Sequence, residues 1–555
     1  MPQLVNFSIS TPSRHPANQN GYVSDLNRPH YRADYVTPEF WILNLHAIPF
    51  GLSESSDGKP IIPTNIASFQ WTVKQVEGTF SKTVTQGRSP SMMHTRVRIP
   101  KPGEYEITLQ VNVTNGEPEV HTRNYRLRDF LIVGIGDSFA SGQGNPDVPA
   151  IPSLDEKIIC ETTTIALALT KVKESFNAFL TALKKETKEK IEDYLPFIGK
   201  MVVAEINGVE DVVGYVNSKI GDLRGIVVDV ASTVAEGVEE FASWFSIGDG
   251  GESGEIRSRP AAWQEPKAYR SYRSGQSLAA RQVETDTLFG ADRITFLSFA
   301  RTGSEIDDGL LAPRTVDPFL LDNRSLDEWV QNRGQIQEAK DTVQNRQIDA
   351  LIITIGVNDL GFTTLVRRSL LWTSGERRTQ RIRGVRRRLN EEFPIQLDNL
   401  RNAIESQLNP RKVFITEYPV GIFKELETQK PCGILGSFSV NNVFAGFNVD
   451  DSDAKDMGAL GRLLNAQIRA KADEFGWVFI DGIEQGFDGH GYCANRSFFV
   501  SAEESCRNQG DFEGTLHPNK LGHEVTRDCI ARALQKELLA PQQNWLEPVL
   551  NVMMQ

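Results

Sequence analysis

The sequence predicts an α/β protein: a three-layer parallel sheet flanked by helices, broken by a helical insertion and preceded by a small β-sandwich. Three observations predict this. After residue 128, short apolar runs without alternation are separated by helical spacers, the pattern of strands buried on both faces and joined by crossovers. Before residue 128, apolar and polar residues alternate at period two, as in strands with one buried face. Between 155 and 255, apolar residues recur at steps of three and four, the period of amphipathic helices.

In chain order, residues 1–64 are rich in Pro, Asn and Ser and read as an irregular segment with short strands, part of the sandwich or packed on it. The sandwich is expected over 65–127. Phe69, Trp71 and Val73, then Tyr105, Ile107, Leu109, Val111 and Val113, alternate with polar residues, and glycine-containing turns divide the strands. The parallel-sheet domain is expected over 128–154 and 256–540. Its first strand is "DFLIVGIGDS", starting at Asp129, and later strands lie at 293–300, 349–360, 412–420 and 476–483. Helical spacers fall at 391–409 and 456–476. The insertion, 155–255, carries two apolar stripes, through Ile165, Leu169, Val172 and Phe176, and through Val209, Val213, Val216 and Ile220. It reads as a helical hairpin packed on the body, with a lid or a peripheral membrane contact to a lipid as the sharper alternative. Residues 541–555 form a tail.

The bulk composition is that of a globular protein, 39% hydrophobic and 24% charged. A net charge of −12 argues against nucleic acid as a partner. The arginine run from Arg367 to Arg388 reads by default as a solvated helix face. The first 25 residues lack the basic segment and apolar run of a secretory leader, and no uninterrupted apolar run of about 18 residues occurs. The compartment stays open. Cys493 and Cys506 are close enough to pair as a disulfide, while Cys160, Cys432 and Cys529 read as buried thiols.

Chemistry enters at "GIGDSFASGQG". A dinucleotide fingerprint would need glycine where Phe139 stands, a phosphate loop would need Gly-Lys-Ser/Thr, and a nucleophile elbow would need glycine at Ala140. What survives is Gly-Asp-Ser directly after a strand. A serine hydroxyl attacks only when a base takes its proton, and five of the eight histidines precede the parallel sheet. Of the others, His523 falls in the last helix, whereas His517 in "EGTLHPNKLG" sits in a proline-closed loop before it, where a positioned base belongs. His490 is the lesser alternative, and with Cys493 and Cys506 it is too sparse for a zinc set. Donors for a developing oxyanion are offered by the backbone N–H of Gly303 in "ARTGSEI" and the side-chain amide of Asn358 in "TIGVNDLG". Asp359 reads as a structural capping residue. No metal and no cofactor are called for.

These blocks, Ser138 in "GDSFASG", Gly303 in "RTGSE", Asn358 in "GVND" and His517 in "LHPN", resemble those of the SGNH (GDSL) hydrolases, in the family's order. The resemblance covers about 128–540 apart from the insertion. It implies a flavodoxin-like parallel sheet, a serine nucleophile at Ser138, a base at His517, and an oxyanion hole made by Ser138, Gly303 and Asn358. "AYRSYRSGQSLA" (268–279) and "FDGHGYCA" (487–494) look like segments of secreted members, which implies an extracellular or cell-envelope setting. The family's usual aspartate three residues before the histidine is replaced by Gly514. Some members with this gap use a main-chain carbonyl, so the resemblance implies the carbonyl of Gly514 or Thr515 as the orienting group, with Glu513 or Asp511 as the less favoured acid. The segment "PGEYEITLQVNVTNGE" resembles the last strands of PKD-type immunoglobulin-like modules through Gly103, Tyr105, Leu109, Val111 and Asn115.

The resemblance implies a serine esterase acting through an acyl-enzyme on a small-molecule, lipid or glycan ester, with lipid or aliphatic esters favoured and a carbohydrate O-acetyl esterase as the alternative. The competing class is an adhesion or binding protein that uses the hydrolase domain as a scaffold.

Overall fold

The structure, a computed structural model, describes residues 5–24, 30–50, 53–54, 60–61, 65–87, 93–153, 259–287, 289–314, 333–361, 375–423, 451–492, 494–511 and 513–539. The expected insertion at 155–255 and the tail at 541–555 lie outside the described residues.

The principal strands are β1 (Val5–Ser10), β2 (Trp41–Pro49), β3 (Ile66–Gln75), β4 (Ser81–Gly87), β5 (His94–Ile99), β6 (Gly103–Val113), β7 (Glu119–Gly136), β8 (Thr285–Thr287), β9 (Gly290–Ser298), β10 (Ala350–Thr354), β11 (Lys412–Thr416) and β12 (Val478–Ile480). One sheet of nine strands runs β12-β11-β10-β7-β6-β3-β4, with β9 also on β7 and β8 on β9; a second sheet is β1-β2-β5.

Strand β7 explains this continuity. It is 18 residues long, and its sequence changes character half-way. Residues 119–127 alternate in burial and pair antiparallel with β6. Leu131–Gly136 are all buried and pair parallel with β9 on one side and β10 on the other. The period-two half is wetted on one face, and the continuous apolar half is covered on both. One strand therefore serves both the antiparallel lobe and the parallel sheet.

In the antiparallel lobe, β1, β2 and β5 share one core with β3, β6 and the start of β7. Trp71 is fully buried there, and the Phe7 ring meets it edge-on at 5.4 Å. In the parallel part, the spatial order β9-β7-β10-β11-β12 is 2-1-3-4-5 in chain order, the flavodoxin-type order whose switch point falls between β7 and β10. Leu131, Val133 and Ile135 face α3 (Gln335–Val343), α4 (Phe393–Gln407) and α5 (Asp451–Phe475); Ile132 and Ile352 face α2 (Gly275–Gln282) and α6 (Lys520–Leu534) on the other side. The one remaining helix needed below is α1 (Ser138–Ser141). Helices on both faces of a mostly parallel sheet make a mixed α/β fold.

Beyond β8, the outer edge of β9 is closed by the N-terminal segment. The Tyr35 hydroxyl accepts the Phe296 N–H at 3.1 Å and the Tyr31 hydroxyl accepts the Ser298 N–H at 2.7 Å. Strand donors two residues apart point the same way, so two tyrosines satisfy an edge that would otherwise be open. Cys529 is a buried free thiol; Cys506 is disulfide-bonded, its partner lying outside the described residues, as Cys493 does. Among the described residues no helix is long and apolar enough to cross a membrane.

Candidate active site

The carboxyl end of β7 is set by a glycine that nothing else could replace. Gly136 has φ 141°, and a Cβ there would lie 2.1 Å from the Thr354 carbonyl oxygen at the end of β10. Asp137 then caps α1, accepting the Phe139 N–H at 2.9 Å, and Ser138 opens the turn with 5% exposure. Among the described residues, neither the Ser138 hydroxyl nor its N–H has a hydrogen-bond partner. Behind it, Tyr418 donates its hydroxyl to the other oxygen of Asp137, and burial pushes the Asp137 carboxyl up to about 7.

Gly303 follows β9 in the left-handed region, at φ 68°, and its N–H also has no acceptor among the described residues. Asn358 follows β10. One of its side-chain N–H groups donates to the Ser304 carbonyl at 3.0 Å, which ties the loops after β9 and β10 together. Asp359 beside it accepts the Ile306 N–H at 2.8 Å, a structural use of that carboxylate. Burial pushes Asp359 up to about 8. The folded chain thus holds this proton to about pH 8, whereas an unfolded carboxyl releases it near 3.8. Its contribution to stability is complete below that lower value and is lost as pH rises through the window to about 8. Asp359→Asn keeps the acceptor for Ile306, so urea unfolding between pH 4.5 and 8.5 should show a flatter decline than the wild type. An unchanged slope would remove Asp359 from the buried acids.

His517 sits in the loop before α6. Its N–H donates to the Gly514 carbonyl at 3.1 Å, and its carbonyl accepts from Val500 at 2.8 Å. Its ring centroid is 5.7 Å from that of Phe139, the residue after Ser138. Gly144 lets the chain beyond α1 pass this loop: at φ 91°, a Cβ would lie 2.9 Å from the Pro518 carbonyl and 3.1 Å from the His517 Cβ. The serine and histidine segments are therefore packed together, without a hydrogen bond between Ser138 and His517. In enzymes such bonds often tighten only when substrate arrives.

Of the candidate orienting groups, the Asp511 carboxylate is filled by the Tyr269 hydroxyl and Gln509 amide, both at 2.7 Å, and by the Glu513 N–H at 2.9 Å. Glu513 is exposed and Thr515 half-buried. The Gly514 carbonyl receives the His517 main chain, and the Gly514 N–H donates to Ser505 Oγ at 2.9 Å, so this residue is fixed on both sides. His523 is buried, and its Nδ1 accepts the Gly275 N–H at 3.2 Å; burial lowers its pKa to about 4, so it stays neutral and structural. His490 stacks on Phe498 at 3.8 Å.

Two buried glutamines hold these loops, and no sequence pattern had singled them out. Gln143, 1% exposed, accepts the Thr302 hydroxyl, donates to the Glu513 carbonyl at 2.7 Å, and sends its own N–H to the Ser138 carbonyl at 3.2 Å. One residue thus bridges the serine turn, the Gly303 loop and the His517 loop. Gln335, at the start of α3, exchanges two 2.8 Å bonds with Gly136 and donates to Ser304 Oγ at 2.9 Å. Their only signal was the first one's place inside "GDSFASGQG", since amides carry neither charge nor apolar period.

No family model and no curated protein matches the chain. Among solved structures, it is similar to an extracellular lipase from Streptomyces rimosus at 20% identity and TM-score 0.34, over 48% of this chain and 88% of that one. A phospholipase A1 from Streptomyces albidoflavus NA297 aligns at 18% identity and TM-score 0.32, over the same shares. A carbohydrate esterase aligns over 97% of this chain and 99% of that one, at 9% identity and TM-score 0.23. Likenesses this distant add nothing to the site, which rests on its own geometry.

Proposed function

We propose that the chain is a serine esterase of the SGNH type that cleaves carboxylic esters, with lipid or aliphatic esters as its favoured substrates. The observation that carries this reading is convergence. Ser138, Gly303 and Asn358 follow the carboxyl ends of β7, β9 and β10, three neighbouring strands with the switch point between β7 and β10, and Gln143 links the serine turn to the Gly303 and His517 loops.

In this reading His517 takes the Ser138 proton as the hydroxyl oxygen attacks the ester carbonyl. The oxyanion is held by the N–H groups of Ser138 and Gly303 and by the Asn358 amide, all three drawn from chain segments already fixed before substrate binds. His517 then protonates the departing alcohol. Water, deprotonated by the same ring, attacks the acyl-enzyme and returns Ser138. The imidazolium needs only an acceptor at Nδ1, and a carbonyl of Gly514 or Thr515 is the proposed one.

The test is hydrolysis of p-nitrophenyl butyrate and of a panel running from acetylated sugars to long acyl chains. Activity that rises with acyl length supports the lipid preference; activity confined to acetyl sugars selects the carbohydrate alternative. Asp511→Asn and Glu513→Gln should each retain activity within about tenfold. A loss of about a thousandfold in either would identify a triad acid and end the carbonyl proposal.

A further inference from the structure

We propose that Arg314 makes this site selective for esters carrying an anionic group, a carboxylate or a phosphate, next to the scissile carbonyl. The inference rests on the esterase reading for the site's location and goes beyond it in naming the substrate's charge. The Arg314 guanidinium lies flush against Gly303: a Cβ on that glycine would be 2.2 Å from one terminal nitrogen and 2.6 Å from Cζ. The same group donates to the Thr302 carbonyl, so a fixed cation stands one residue from the N–H offered to the oxyanion.

Among the described residues this cation has no partner that neutralises it. Its single hydrogen bond among the described residues is the one to Thr302, and none of their carboxylates lies within ion-pair distance. Asp308, Glu305 and Glu513 act on it from farther away, and Arg301, itself paired with Glu338, repels it. Arg301 and Arg346, by contrast, each meet a carboxylate directly. Arg314 is half-buried, so part of its hydration is already lost while solvent still reaches it. A charge desolvated, accessible and without a carboxylate partner among the described residues gains most from an anion delivered by the substrate beside the oxyanion donors, and a planar guanidinium suits carboxylate and phosphate oxygens alike.

Binding separates this from catalysis. In the Ser138→Ala background, calorimetric titration compares mono-p-nitrophenyl succinate with p-nitrophenyl butyrate, and 1-butyryl-glycerol 3-phosphate with monobutyrin. The anionic member of at least one pair should bind about ten- to a hundredfold more tightly, the range of one charge-assisted hydrogen bond. Adding Arg314→Gln should remove that preference while changing the neutral ligand less than about threefold, and Arg314→Lys should restore part of it. The pair that responds tells whether the anion sits on the acyl or the alcohol side. Equal affinity within both pairs, no binding by any ligand, or an equal loss for charged and neutral ligands in Arg314→Gln overturns the proposal; the last would make Arg314 only a brace for Thr302. A charge preference that persists in a chain whose wild type shows no Ser138-dependent hydrolysis would instead overturn the esterase reading alone.

Discussion

Ser138→Ala lowers kcat/KM for p-nitrophenyl butyrate by about ten-thousandfold or more while leaving the fold intact. The size follows from the mechanism: without the hydroxyl there is no acyl-enzyme, and only the oxyanion donors remain to assist water. The intact fold follows from the structure. The hydroxyl bonds to none of the described residues, so its removal leaves no buried group without a partner. Thermal unfolding run beside the assay separates the two effects. A variant that keeps more than about a tenth of the wild-type rate would show that Ser138 is a turn residue and would return the chain to the scaffold reading.

Asn358→Ala is expected to lower kcat by about a hundred- to a thousandfold with little change in KM, because the amide is needed where negative charge develops and not where the neutral ester binds. The substitution also removes the bond to the Ser304 carbonyl, so it loosens the Gly303 loop. Asn358→Asp separates these roles: it keeps the shape but loses both donors, and an ionised carboxylate would repel the oxyanion. The aspartate variant should therefore be at least as slow as the alanine one. If Asn358→Ala costs tenfold or less, the amide is a loop tie and not an oxyanion donor.

The sequence made much of this legible because backbone period and local turn chemistry are written locally. The apolar runs at 293–300, 349–360 and 412–420 appear as β9, β10 and β11; β10 and β11 stop well short of the runs' ends, because strand pairing ends while the chain beyond stays buried in the loops. Gly-Asp-Ser directly after a strand could be read in the opening block; the close approach of Gly136 to the Thr354 carbonyl could not, because Thr354 belongs to another strand. The continuity of the two lobes through β7 could not, because the change of pairing partner at its middle depends on segments more than 150 residues away. Nor could the occupation of Asp511 by Tyr269 and Gln509, which joins residues from two separate segments.

By itself, then, the sequence determined the fold class, the order of the strands along the chain and the residue types that could do acyl chemistry, since periodicity and motif spacing act over a few residues at a time. The tertiary structure alone decided the spatial order 2-1-3-4-5, the bridging of three loops by Gln143, and the resting of Arg314 on Gly303. Those are contacts between segments far apart in the chain, chosen by which surfaces exclude water together and which buried polar atoms can find a partner, and neither condition can be read from any one stretch.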